Sequence, residues 1–209
     1  VSSGAVAKRL RRGAIAFSVI GVSLLGGALA TVVHSRVYQA RQGRAFSDLE
    51  RTVATPAAGP TAPAAGATPA PPLLPPGADP LLLGRIEIPR IGLSAMVREG
   101  DDVATLAIAV GRIPGTARPG EQGNMALAGH RDSFFRALRH VRVADLIHLS
   151  APGARYDYRV VSTEVVGPSE MRVLDPTDEA VLTLVTCYPF GFVGNAPDRF
   201  IVRAVRLPI

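Results

Sequence analysis

Tryptophan is absent from this chain of 209 residues, aromatic residues make up 5% of it, and cysteine occurs once. One cysteine excludes an intramolecular disulfide, so cysteine usage says nothing about the redox compartment. The sparse aromatics argue against a platform on which nucleic-acid bases would stack. A clustered positive field is missing as well. The formal net charge is +6, but residues 1–80 hold eight Lys or Arg against three Asp or Glu. Residues 81–209 hold fifteen Arg against fourteen Asp or Glu. The larger part is close to neutral and its arginines are scattered, so nucleic acid is not an expected partner.

Charge also disappears from residues 14–33, AIAFSVIGVSLLGGALATVV. That run has the length of about 20 residues that a helix needs to cross a bilayer core. Lys8, Arg9, Arg11 and Arg12 precede it, which predicts a cytoplasmic N-terminus at 1–13 and an exported remainder. Arg36, Arg41 and Arg44 follow the run and oppose this bias. Ala28-Leu29-Ala30 resembles a signal-peptide cleavage site. The run continues past Ala30, however, and favours an uncleaved single-pass anchor. Either reading places the rest of the chain on the extracytoplasmic side of the cell membrane.

Residues 34–80 read as a juxtamembrane segment and linker. Up to residue 51 the segment is polar and Arg-rich, with Phe46, Leu49 and Val53 at helical spacing. Residues 54–80 hold nine of the eighteen prolines, with Ala and Gly at most other places. Such a composition cannot bury a core. In polyproline form it would reach about 80 Å, as a stalk. The folded domain is therefore expected at 81–209. Strand-like runs occur at 84–93, 124–129, 145–150, 154–166, 180–187 and 199–207, and short helices fit 102–109 and 133–140. There is no internal repeat. Many strands and few helices predict a mainly β barrel or sandwich.

The single cysteine lies in TLVTCYPF, residues 183–190. A lone cysteine in an apolar run is usually a small core residue. Here, however, Pro189 cannot donate a ladder hydrogen bond, so the strand should end beside Cys187. If the next strand runs back antiparallel, Arg199 lies at the same end of the sheet. His130 directly follows the strand at 124–129. Three chemically capable side chains thus sit at strand ends beside loops, where a β scaffold places its chemistry. The chemistry they suit is acyl transfer. A free thiol is only slightly ionised at neutral pH and is commonly activated by an imidazole, which then protonates the leaving amine. A fixed guanidinium can hold the oxyanion. Asp132, two residues after His130, could orient the ring or stand in solvent. Among the other histidines, His34 adjoins the apolar run, His140 suits a helix C-terminus, and His148 alternates with apolar residues in a strand and should face solvent.

LAGHRD at 127–132, TLVTCYPF at 183–190 and APDRFIVRA at 196–204 resemble the sortase family, cysteine transpeptidases of the bacterial cell surface. The order His, Cys, Arg and the twelve-residue gap from Cys to Arg match that family. GRIEIPRIGL resembles its first strand, and TLVTCYPF is most similar to the class D branch. The resemblance covers 81–209 and implies an eight-stranded β-barrel with short helices, preceded by one transmembrane helix. It implies that Cys187 is the nucleophile on an LPxT-like sorting signal, His130 the general acid and base, and Arg199 the substrate and oxyanion donor. Thr186 is expected to help line the site. The implied partners are proteins carrying that C-terminal signal and an amine acceptor, either a peptidoglycan precursor or a pilin lysine. The segment 165–179 would close over the signal. Some members bind calcium through acidic residues in such loops, but Glu164, Glu170, Asp175, Asp178 and Glu179 read as a solvated loop. Neither a metal nor another cofactor is expected.

Three other functions use similar parts. A cysteine hydrolase would pass the same acyl group to water. An L,D-transpeptidase favours a Ser-x-Gly-Cys context, whereas Cys187 follows Val185-Thr186. A non-catalytic tethered binding module on a degenerate barrel would be expected to lose one of the three residues, and all three are present.

Overall fold

A computed structural model describes residues 3–54, 77–192 and 194–208. Most of the expected Pro/Ala-rich linker, residues 55–76, lies outside the described residues, as do residues 1–2 of the expected cytoplasmic segment.

The first element is one unbroken helix, α1 (Ser3–Ala54). It joins the expected span and the juxtamembrane segment without a break. The part running from Phe17 has the length and composition to cross a membrane, and its most apolar stretch of 18 residues, with a mean hydropathy of 1.8, is not buried against the rest of the chain. Its apolar side chains, Phe17 and Leu25 among them, stand exposed.

Eight strands follow: β1 (Leu82–Ile88), β2 (Leu93–Glu99), β3 (Val110–Arg112), β4 (Asn124–Ala128), β5 (Leu146–Ala151), β6 (Ala154–Val166), β7 (Val181–Tyr188) and β8 (Asp198–Arg206). They close into a barrel in the order β1-β2-β3-β4-β7-β8-β6-β5. The fold is mainly β, as expected. Two neighbour pairs are parallel, β2 with β3 and β4 with β7. Parallel neighbours need a crossover. The first is made by the short helix α2 (Val103–Ile108), whose N-cap Asp102 accepts from the backbone N–H groups of Ala104 and Thr105. The second carries β5 and β6.

The run 84–93 is two strands rather than one. Pro89 opens a 3-10 turn over Pro89–Ile91, and Gly92 closes it at φ 66°, a left-handed conformation that glycine adopts without a Cβ clash. The expected helix at 133–140 is only a 3-10 segment, Arg136–His140. Phe135 and Leu138, three residues apart and both fully buried, face the core from this tight turn. Inside the barrel Ile86, Leu127, Leu149, Leu184 and Val202 belong to one continuous apolar core. Each such side chain contributes about 1.5–3 kcal/mol by leaving water.

α1 also packs on the outside of the barrel. Tyr38, Gln39, Gln42 and Phe46 lie on one helix face, as spacings of three and four residues require. Phe46 is 1% exposed and packs on Leu82 and Met96. Gln39 Nε2 donates to the Ile108 carbonyl at 2.7 Å, and its Oε1 accepts from the Met96 N–H at 2.8 Å. Gln42 accepts from the Asp79 N–H at 3.1 Å. The Arg85 guanidinium lies 5.6 Å from the centroid of the Phe46 ring and donates to Gly43 O and Ser47 Oγ.

Candidate active site

β7 runs between β4 and β8 and ends at the cis peptide Tyr188–Pro189. Its last residues are paired antiparallel with β8, with Cys187 opposite Arg199 and Thr186 opposite Phe200. Directly opposed residues share a face of the sheet, with Cβ atoms about 4.5–5.5 Å apart. The expectation that Cys187 and Arg199 meet at one end of the sheet is therefore met. Leu182 and Leu184 face the core. Alternation then puts Cys187 and Arg199 on the outer side.

His130 reaches the same place from β4. Ala128 pairs with Val185, and one residue further on the Gly129 N–H donates to the Val185 carbonyl at 3.2 Å. The Thr186 hydroxyl donates to the Gly129 carbonyl at 2.7 Å. The same parallel register, continued past the end of β4, would bring His130 level with Cys187. The loop then turns back on itself, because the His130 carbonyl accepts from the N–H groups of Ser133 and Phe135. Gly129 is required here. A Cβ at that position would stand 2.8 Å from the Phe135 ring. The His130 side chain is exposed and lines a cavity of about 1010 Å³ between the 130–140 segment and α1. Asp132, Arg136, Arg139 and Arg36 are among its walls, so its charge is predominantly positive.

Several expectations change in detail. Thr186 is buried, and its hydroxyl holds the Gly129 carbonyl. This placement suits fixing the His130 loop rather than lining an open substrate face. Asp132 is exposed and makes no hydrogen bond to His130 among the described residues. His148 is half-buried rather than solvent-facing, with Nδ1 2.7 Å from Asp157 Oδ1. His140 ends the 3-10 segment, and its carbonyl accepts from Arg90. The 167–180 connection is pinned at its middle. Buried Asn124 donates to the carbonyls of Val173 and Asp175 and accepts from the Thr183 hydroxyl. Glu170 pairs with Arg172, while Glu164, Asp175, Asp178 and Glu179 are exposed. No group of three His, Cys, Asp or Glu is gathered for a metal among the described residues.

Two features of the site carry no local signal in the sequence. Tyr188, Phe190 and Phe200 form an aromatic floor behind Cys187 and Arg199, with ring centroids 5.3–6.2 Å apart. Arg131, next to His130, reaches across to the 189–197 loop and donates to three of its carbonyls, those of Pro189, Phe192 and Gly194. Arg199 in turn uses one guanidinium nitrogen, Nη1, on the carbonyls of Ala196 and Asp198. Its Nε and Nη2 point to no protein acceptor among the described residues.

The carboxylates held below their ordinary range lie on or beside other strands. Arg112 holds Glu99 down by hydrogen bonding, Arg90 does so for Asp145, and His148 for Asp157. No carboxylate joins Cys187, His130 and Arg199 among the described residues. The arrangement thus offers a thiol and a guanidinium with spare donors on paired strands, and an imidazole on the loop that leaves the neighbouring strand β4. These are the parts required for nucleophilic acyl transfer.

Residues 86–207 match the family model described as the sortase domain. The chain is 34% identical over 125 residues to sortase D of Bacillus subtilis, covering 59% of this chain and 63% of that protein. It is 31% identical over 110 residues to sortase A of Listeria monocytogenes, covering 51% and 49%. The match therefore spans less than two thirds of the length of either relative. Among solved structures, a Clostridium perfringens sortase D5 transpeptidase is 32% identical with a TM-score of 0.56, over 61% of this chain and 79% of that one. A Clostridium perfringens sortase C, solved with the C-terminal cell wall sorting motif, is 30% identical with a TM-score of 0.57, over 61% and 71%.

Proposed function

Because this chain belongs to the sortase family and is class D-like, we propose that it is a membrane-anchored cysteine transpeptidase in which Cys187, His130 and Arg199 carry the reaction. The Cys187 thiolate attacks the carbonyl carbon of the threonine in an LPxT-like sorting signal. Arg199 donates from Nε and Nη2 to the oxyanion of the tetrahedral intermediate. His130 delivers its proton to the departing amine, the peptide bond breaks, and a thioester to Cys187 remains. An incoming amine then gives a proton to His130, attacks the thioester and leaves with the acyl group as a new amide, which restores the thiolate beside a protonated His130. The amine belongs to a peptidoglycan precursor or a pilin lysine. α1 anchors the enzyme through residues 14–33, residues 81–209 form the catalytic domain, and the barrel stands on the extracytoplasmic side.

The observation that carries this reading is the convergence of three strand ends: Cys187 is paired with Arg199 while Thr186 holds the residue before His130. The test uses the full chain in detergent with a set of LPxTx peptides, with and without added amines, read by mass spectrometry. The expected product is a thioester on Cys187 that resolves onto an amine. Cys187→Ala should form no adduct while keeping the fold, and full activity of that variant would sink the reading. A thioester resolved only by water, with every amine offered, would point to the hydrolase instead.

A further inference from the structure

We propose that Arg131 is a positioning residue that locks His130 against Cys187. This inference rests on the assignment of Cys187 and His130 as the reacting pair. His130 is exposed and sits on a loop, so its own side-chain packing does not fix it. Its two chain neighbours do. On one side, Gly129 is tied to β7 through Thr186, the residue before Cys187, at 2.7 Å. On the other side, Arg131 is tied to Pro189, two residues after Cys187, by Nη1 at 2.9 Å to the carbonyl. His130 is therefore bracketed, with two bonds between Gly129 and β7 before it and one from Arg131 to the chain leaving β7 after it.

The second nitrogen of the guanidinium extends the same grip. Nη2 reaches the Phe192 carbonyl at 2.6 Å and the Gly194 carbonyl at 3.1 Å, and the guanidinium carbon lies 5.9 Å from the centroid of the Phe192 ring. One planar group thus gathers three carbonyls of the loop that separates Cys187 from Arg199. All three acceptors are backbone atoms, so these hydrogen bonds do not depend on the loop's side chains for their acceptors. Lysine could not copy it. An ammonium is a compact point charge, while the guanidinium presents a rigid fork of donors. Without the clamp, the 130–135 turn and the 189–197 loop would each be free to shift. A displacement of about 1 Å between reacting groups costs up to about a hundredfold in rate. Binding of the sorting signal along the barrel would change far less.

The experiment compares Arg131→Ala, Arg131→Lys and the unchanged full chain in detergent, measuring kcat and KM with the LPxTx peptide that the enzyme consumes. Thermal melting of each variant is recorded alongside. The expected result is a fall in kcat of about tenfold or more, with KM moving less than about threefold. Arg131→Lys should resemble Arg131→Ala in kcat while melting close to the parent. It also carries the test if the alanine variant does not fold. The proposal is overturned by kcat within about twofold of the parent in both variants, by a change confined to KM, by full recovery with lysine, or by a loss that tracks the unfolded fraction. Inactivity of Cys187→Ala alongside normal Arg131 variants removes the clamp alone. Activity of Cys187→Ala removes the reading beneath it.

Discussion

Cys187 and Phe46 lie against strands of one barrel, yet they are set in place by different means. Around Cys187 the work is done by backbone register: β7 pairs with the start of β8 at Cys187 and Arg199, and β4 runs beside β7 towards His130. Hydrogen bonds from Thr186 and Arg131 then hold the loops that leave these strands. Around Phe46 the strands β1 and β2 offer only an outer face. The docking of α1 depends on side chains that cap it, the amides of Gln39 and Gln42 and one buried ring. The first kind of site is stiff but open. The second is covered but rests on few contacts. A barrel end can hold reactive groups without burying them, whereas a barrel wall binds a helix only by burying something.

The largest effects should fall at the open end. His130→Ala and Arg199→Ala should each reduce turnover by about 10²–10⁴-fold with little loss of stability. Steady-state kinetics beside thermal melting checks this, and normal turnover in the Arg199 variant would remove its oxyanion role. Next comes the covered face. Phe46→Ala should cost about 3 kcal/mol, read by denaturant unfolding, while the thioester on Cys187 still forms with the folded protein. Loss of acyl transfer in that folded variant would mean that the two regions are coupled and would break the contrast. The smallest effect concerns acid. Glu99 receives a two-pronged hydrogen bond from the nearly buried Arg112, at 2.5 and 2.8 Å, and its carboxyl is held below the ordinary range. A depressed carboxyl stabilises the fold above its unfolded-state value, and this contribution is lost as pH falls through the folded-state value. Melting temperature should therefore decline as pH drops below about 4, and Glu99→Gln should flatten part of that decline.

How much of the molecule is legible in its residues alone divides along the same line. β6 and β7 are legible because their β-branched and apolar runs are bounded by turn residues. The meeting of Cys187 with Arg199 follows from one antiparallel pairing. β2 escapes because its burial does not alternate: Met96 lies on the outer wall, yet α1 covers it. No local pattern announces a face that is buried by a helix from 50 residues away. β3, three residues long, is too short to show a period. Arg131 gives no signal because its acceptors are backbone carbonyls, which any sequence supplies. Thr186 stands out for its place beside Cys187, but its burial and its bond to Gly129 belong to the tertiary structure.

The continuity of α1 has a geometric consequence. Among the described residues, hydrogen bonds from α1 to the rest of the chain begin at Tyr38, five residues after the apolar run ends at Val33. At about 1.5 Å per residue, Phe46 stands only about 20 Å along the axis from Val33. With the apolar run seated in a bilayer, the barrel rides on a rigid post rather than swinging on a leash. Its altitude above the lipid is then set by the helix, whatever the length of the proline-rich segment between residues 54 and 77. On that reading, the open end of the barrel would work at a fixed height above the lipid rather than over the reach of a flexible tether.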